Sequence, residues 1–162
     1  MSWKYSVLVM ANVTATSDEL LDALRQRAAR GTCGFTLLVP ATGGGREGRE
    51  AARVVLDTAL ERLREAELEV EGTVGDPDPI AAVHEVWDPM RYDEVIISTL
   101  PTDSSRWLAL DLPHRIEKLT SVPVQHVVAS PPKPPVRTEH RPERKPSRLI
   151  SVMAAITGRG PQ

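Results

Sequence analysis

One cysteine, Cys33, stands in 162 residues, so no internal disulfide can form. A lone thiol at the head of an apolar run reads as a small buried hydrophobe in a reducing cytoplasm. Long apolar runs are missing too. The stretch from Leu149 to Thr157 is only about half the length that spans a bilayer. Lys4 followed by Tyr5 to Val13 is not expected to be a signal peptide: Asn12 interrupts the run, a helix-start signal follows at once, and the segment reads as a buried strand. His84, His114, His126 and His140 are scattered without metal-ligand spacing, so no metal is expected. There is no G-x-S-x-G elbow, and no His-carboxylate pair falls beside a nucleophile, so covalent hydrolysis has no support.

What is present is an ordinary globular composition, with 41% hydrophobic and 26% charged residues, which excludes wholesale disorder, collagen and a membrane bundle. Charge is unevenly placed. Residues 1–129 hold 13 of the 20 Lys+Arg and 20 of the 22 Asp+Glu, a balance of -7, whereas 130–162 balance at +5. Residues 130–162 also carry seven of the fourteen prolines. The reading is therefore one domain over 1–129 and a Pro-rich basic tail over 130–162. That tail is expected to be largely disordered with a short apolar segment at 149–157. It is expected to be solvated or to contact an acidic partner; nucleic acid and membrane are not expected partners.

Within 1–129, β-rich runs alternate with helical patterns, the mark of stacked βαβ units. The strands are Val7–Ala11, Phe35–Val39, Leu68–Val74, Val95–Ile97 and Val124–Val128. Leu68–Val74 alternates as an edge strand would. Thr16 and Glu19 form a capping box for the first helix, whose apolar face is Leu20, Leu21, Leu24 and Ala28. Ala52, Leu56, Ala59, Leu63 and Ala66 make one stripe of a long second helix. Asp76 caps a third, with Pro77 in its first turn. A last helical stretch, restarted at Pro113, runs to about Thr120. The fold class is α/β: a three-layer α/β/α sandwich with a five-stranded parallel sheet in the order 3-2-1-4-5. Ligands of such sheets lie beyond the strands' carboxyl ends at the switch point. That crevice is expected to be lined by Asn12–Thr16, Pro40–Gly45 and Ser98–Arg106.

These residues resemble the universal stress protein family of the adenine nucleotide alpha-hydrolase-like superfamily, over residues 5–129. Val7–Thr14 is similar to the family's opening strand and Asp-Gly-Ser, with Asn12 at the Asp position and Thr14 at the Ser position. Gly75, Asp76, Pro77 and Ile80 resemble its Gly-Asp-Pro helix start, and Tyr92–Ser98, Ser105-Arg106 and Val122-Pro123-Val124 follow in order. The resemblance implies a small bacterial, cytoplasmic binding or signalling module that dimerises, and an adenine nucleotide such as ATP or AMP as its ligand. One departure is chemical. Where ATP-binding members carry Gly, two residues, Gly, nine residues, then Gly and Ser or Thr, an ungapped comparison places Ile97, Leu100, Leu110 and Asp111. Glycines let backbone amides approach phosphate, so their loss makes the nucleotide site absent or altered.

The loop is still polar. Asn12, Thr14, Ser98, Thr99, Ser104, Ser105 and Arg106 are the candidate ligand-binding residues, and none is assigned a catalytic role. The competing reading is helix capping by Thr102, Asp103 or Ser104. Trp107 either covers a base or packs on the sheet. Gly43, Gly45 and Gly48 satisfy G-x-G-x-x-G, with Glu69 and Glu71 at the distance of a ribose-binding acid, against a plain loop at the crevice edge. The alternative function is a nucleotide- or phosphometabolite-handling enzyme using the crevice between strands 1 and 4, with Asp103 or Asp111 as its carboxylate. The homodimer is expected through the fifth-strand edge at Val124 and Val127.

Overall fold

Residues buried on both sides of a sheet become continuous apolar strands, and the central runs here behave so. In the computed structural model, which describes residues 4–101 and 104–130, Tyr5–Met10 (β1), Cys33–Pro40 (β2), Val70–Gly75 (β3), Glu94–Thr99 (β4) and Val124–Val128 (β5) form one sheet. All its pairings are parallel and the order is β3-β2-β1-β4-β5. The expected class and strand order therefore hold. Thr102, Asp103, His140 and the tail from residue 131, with its 149–157 segment, lie outside the described residues.

Strand alternation divides the core. Val7 and Val9 of β1 point into one apolar layer and Leu8 and Met10 into the other. The first layer is closed by Asp18–Ala28 (α1) and Gly45–Glu65 (α2), through Leu20, Leu24, Leu56 and Leu63. Pro79–Val86 (α3), Arg106–Ala109 (α4) and Leu112–Thr120 (α5) close the second, with Val83, Leu112 and Ile116 fully buried. Burial of each such side chain contributes about 2 kcal/mol. Gly72 and Gly75 keep β3 bare where helices approach. A Cβ at Gly72 would stand 2.5 Å from Leu56 Cδ1, and one at Gly75 2.7 Å from Ala82 Cβ.

Two helix starts differ from expectation, and the last helical stretch restarts at Pro113 as expected. The α1 cap is Ser17, whose hydroxyl accepts from Leu20 N–H at 3.2 Å, in place of Thr16. The α3 cap is Asp78, with Pro79 in the first turn, because Asp76 is engaged one step earlier in accepting from Asp78 N–H. The last helical stretch is two helices. Asp111 takes a left-handed conformation (φ 51°) between α4 and α5, a backbone that Asp tolerates better than most residues. No helix among the described residues is long and apolar enough to cross a membrane.

Candidate functional site

Parallel strands all end at one edge of the sheet, but the chain leaves β1 toward β2 and later returns to β4 on the other side. Loops after β1 and β4 therefore diverge, and the sheet opens between them. A cavity of about 220 Å³ lies there. Asn12, Val13 and Thr14 line it from the β1 side, and Ser98, Thr99 and Leu100 from the end of β4. Ser104, Ser105, Arg106 and Trp107 complete the wall. All seven candidate residues read from the sequence are thus gathered around one space.

Hydrogen bonds fix part of this wall. Thr14 Oγ1 donates to Ser98 O across the gap at 3.1 Å, tying the two loops together. Ser105 caps α4, its hydroxyl accepting from Leu108 N–H at 3.3 Å, so Ser104 does not, and the capping alternatives Thr102 and Asp103 lie outside the described residues. With one turn only, α4 carries little macrodipole and offers no anion seat at its start. Ser98 is different. It is 1% exposed, and its Oγ has no hydrogen-bond partner among the described residues. Arg106 is the one charged side chain among the described lining residues, and no carboxylate joins it. Trp107 packs half-buried on the second core and also lines the cavity.

Thr99 brings in a residue that sequence reasoning did not place here. Its Oγ1 lies 2.7 Å from His126 Nε2 and 2.9 Å from Leu100 O. His126 is exposed overall, and partial burial of its imidazole holds it below its ordinary pKa. Alternation along Val124–Val128 gives the face of His126, but its reach to Thr99 depends on the β4–β5 register, in which Ile97 stands opposite His126 and Thr99 opposite Val128. No local pattern encodes that.

Other expectations are corrected. Pro40–Gly45 takes no part in the cavity wall. β2 lies on the far side of β1, and the loop after it is drawn toward β3 by the Ala41 N–H to Gly75 O bond. The glycine run serves the backbone. Gly43 and Gly45 have φ of 79° and 89°, and a Cβ on Gly48 would stand 2.5 Å from Thr42 O. Glu69 and Glu71 sit at the start of β3, the opposite end of the sheet, where Lys4 and Arg91 pair with them, so neither glutamate faces these glycines. Ile97, placed at the first motif glycine, is inside β4 and fully buried, so the crevice wall begins at Ser98. Asp111 does not line the cavity. Val127 is 9% exposed and packs into the first core, while Val124 is half-buried against the second. Of the fifth strand's valines, Val128 is the exposed one. Among the described residues no group of three metal-ligating side chains comes together.

No model of a known protein family matches this sequence, and no curated protein does. Solved structures do. A universal stress protein in complex with cAMP superposes with a TM-score of 0.55 at 18% identity, over 78% of this chain and 98% of that one. A universal stress protein from Archaeoglobus fulgidus gives 0.55 at 20% identity, over 76% and 93%. The chain has the fold of the universal stress proteins.

Proposed function

We propose that this chain is a cytoplasmic, universal stress protein-like binding module whose cavity between β1 and β4 takes a compact adenine nucleotide with one phosphate, such as AMP or cAMP. The observation that carries this reading is the Ser98 hydroxyl, buried in the cavity wall without a partner. Leaving such a group unsatisfied costs about 1–3 kcal/mol, which a ligand's polar atom recovers. Size and charge support a compact anion. A cavity of about 220 Å³ favours a monophosphate over a triphosphate, and Arg106 meets no carboxylate among the described lining residues. Trp107 supplies a ring face for a base. The cAMP complex of a protein with this fold supports the same ligand class. Leu100 in the wall, where a triphosphate loop has glycine, disfavours ATP.

Small molecules released from fresh protein are identified by mass spectrometry, and ATP, AMP, cAMP and NAD are then titrated calorimetrically. AMP or cAMP is expected to bind at micromolar strength and ATP more weakly. Ser98→Ala should lower the affinity about tenfold, the loss of one good hydrogen bond. Absence of binding by all four, or an unchanged affinity in Ser98→Ala, defeats the reading.

Self-association is proposed through the outer edge of β5. Among the described residues this strand pairs on one side only, with β4, and Val128 is exposed beside that open edge. Val128→Lys should give monomers in light scattering; an unchanged dimer mass counts against the surface. Val127→Lys would report on core packing instead.

A further inference from the structure

We propose that His126 is a positioning residue that couples anion binding in this cavity to proton uptake, an inference that rests on the binding reading above. Thr99 is 2% exposed, lines the cavity, and stands between it and the imidazole.

The argument is one of proton counting. A hydroxyl has a single proton, whereas Thr99 Oγ1 has two partners, Leu100 O at 2.9 Å and His126 Nε2 at 2.7 Å. Leu100 O only accepts, so a Thr99 hydroxyl that donates to it must receive from His126, and Nε2 must then carry a proton. With Nε2 bare, the hydroxyl has to turn toward the ring and abandon Leu100 O. Both contacts coexist only when Nε2 is protonated, as the imidazolium or the neutral Nε2–H tautomer. The imidazolium places a full positive charge one hydroxyl behind the cavity wall.

Among the described residues little besides solvent at this exposed residue competes for that charge. His126 shares its strand face with Val124, on the side of α5, where the titratable groups are His114, Arg115, Glu117 and Lys118, with Asp111 and Arg106 at and before its start. Asp18, Glu19, Asp22, Arg25 and Arg27 of α1 are on the other face, and Glu94 at the far end of β4 pairs with Arg27. Burial is the only cause of the lowered His126 pKa, with no contribution from these charges. An anion in the cavity opposes that effect and favours the imidazolium, and by reciprocity the imidazolium favours the anion. Protons and anion then bind together.

The test uses the full chain with cAMP, whose phosphodiester keeps one charge throughout, and adenosine, which has none. Calorimetry is run from about pH 8 to about pH 5.5, around the ordinary histidine range, in two buffers of different ionisation heat. Affinity for cAMP should rise about fivefold toward acid, with net proton uptake, while adenosine affinity stays flat. His126→Gln, whose amide donates to Thr99 without titrating, should keep adenosine binding and lose the cAMP slope. His126→Phe should weaken cAMP at every pH. A slope that survives in His126→Gln, a flat cAMP profile in the natural chain, or an equal gain for adenosine each overturns the coupling while binding stands. If neither ligand binds at any pH the coupling is overturned, and if AMP, ATP and NAD also fail to bind the binding reading fails with it.

Discussion

The two ends of the sheet are built on opposite rules. Where the strands begin, charge is abundant and matched. Arg27 Nε lies 3.0 Å from Glu94 Oε2, both largely buried, and its guanidinium covers the Tyr5 ring at 3.8 Å. Burial works against that charge, but the hydrogen bonds to Tyr5 and Glu94 outweigh it and raise the Arg27 pKa. Lys4 pairs with Glu69, Arg91 with Glu71, and Asp93 accepts from Ser6 N–H at 2.9 Å. Where the strands end, at the β1–β4 opening, one buried hydroxyl is unmatched and one guanidinium meets no carboxylate among the described lining residues. The hollow at the starting end is the larger, about 480 Å³ against about 220 Å³. Size therefore does not mark the site; unmet hydrogen-bonding capacity does, because matched groups have nothing further to offer a ligand.

If that contrast is sound, mutations at the two ends should have separable effects. Arg27→Ala strands Glu94 and should lower stability in denaturant titrations by about 3 kcal/mol, with cAMP affinity unchanged. An affinity loss there would break the contrast. Ser98→Ala should do the reverse, costing about 1.4 kcal/mol of binding and no stability, since the removed hydroxyl satisfies nothing in the free chain. Thr14→Val removes the bond to Ser98 O that ties the two loops. It should cost about 1 kcal/mol of stability and also weaken binding, which would show how far the wall depends on its own bracing.

The smallest effect is in pH. The folded pKa of His126 is lowered, so the unfolded chain binds the proton more readily. The stabilising contribution is present above the unfolded value of about 6.5 and is lost as pH falls from there through the folded value. The melting temperature should therefore decline slightly on acidification through that window, and His126→Gln should remove that part of the decline.

Much of this was readable from local pattern. The stripe Ala52, Leu56, Ala59 and Leu63 is buried as spaced, and β5 has the bounds its valines indicated. Leu68–Val74 alternates like an edge strand, and β3 is at an edge. Helix starts were less legible, because Thr16 and Ser17, or Asp76 and Asp78, are chemically equivalent caps, and the choice between them is made by how the helix packs. The glycine run misled. Gly43, Gly45 and Gly48 answer to backbone angle and close approach, requirements that produce the same spacing as a phosphate loop.

Hydrophobic period, chain direction and right-handed crossovers were enough to indicate a parallel α/β sheet with a chain reversal and an opening there, because those constraints act on every residue of an element and add up; which of the allowed strand orders is adopted is read from the structure. Those constraints also brought Asn12, Thr14 and Ser98 to one place, since both loops must leave the same edge. Which hydroxyl is satisfied could not be read that way. Thr14 reaches Ser98 O, Thr99 reaches His126, and Ser98 Oγ reaches nothing described. Those outcomes turn on ångström-scale register and rotamer, set by residues as many as 84 positions apart in the chain. A hydrogen bond is lost over less than the width of an atom, and sequence spacing carries no information that fine.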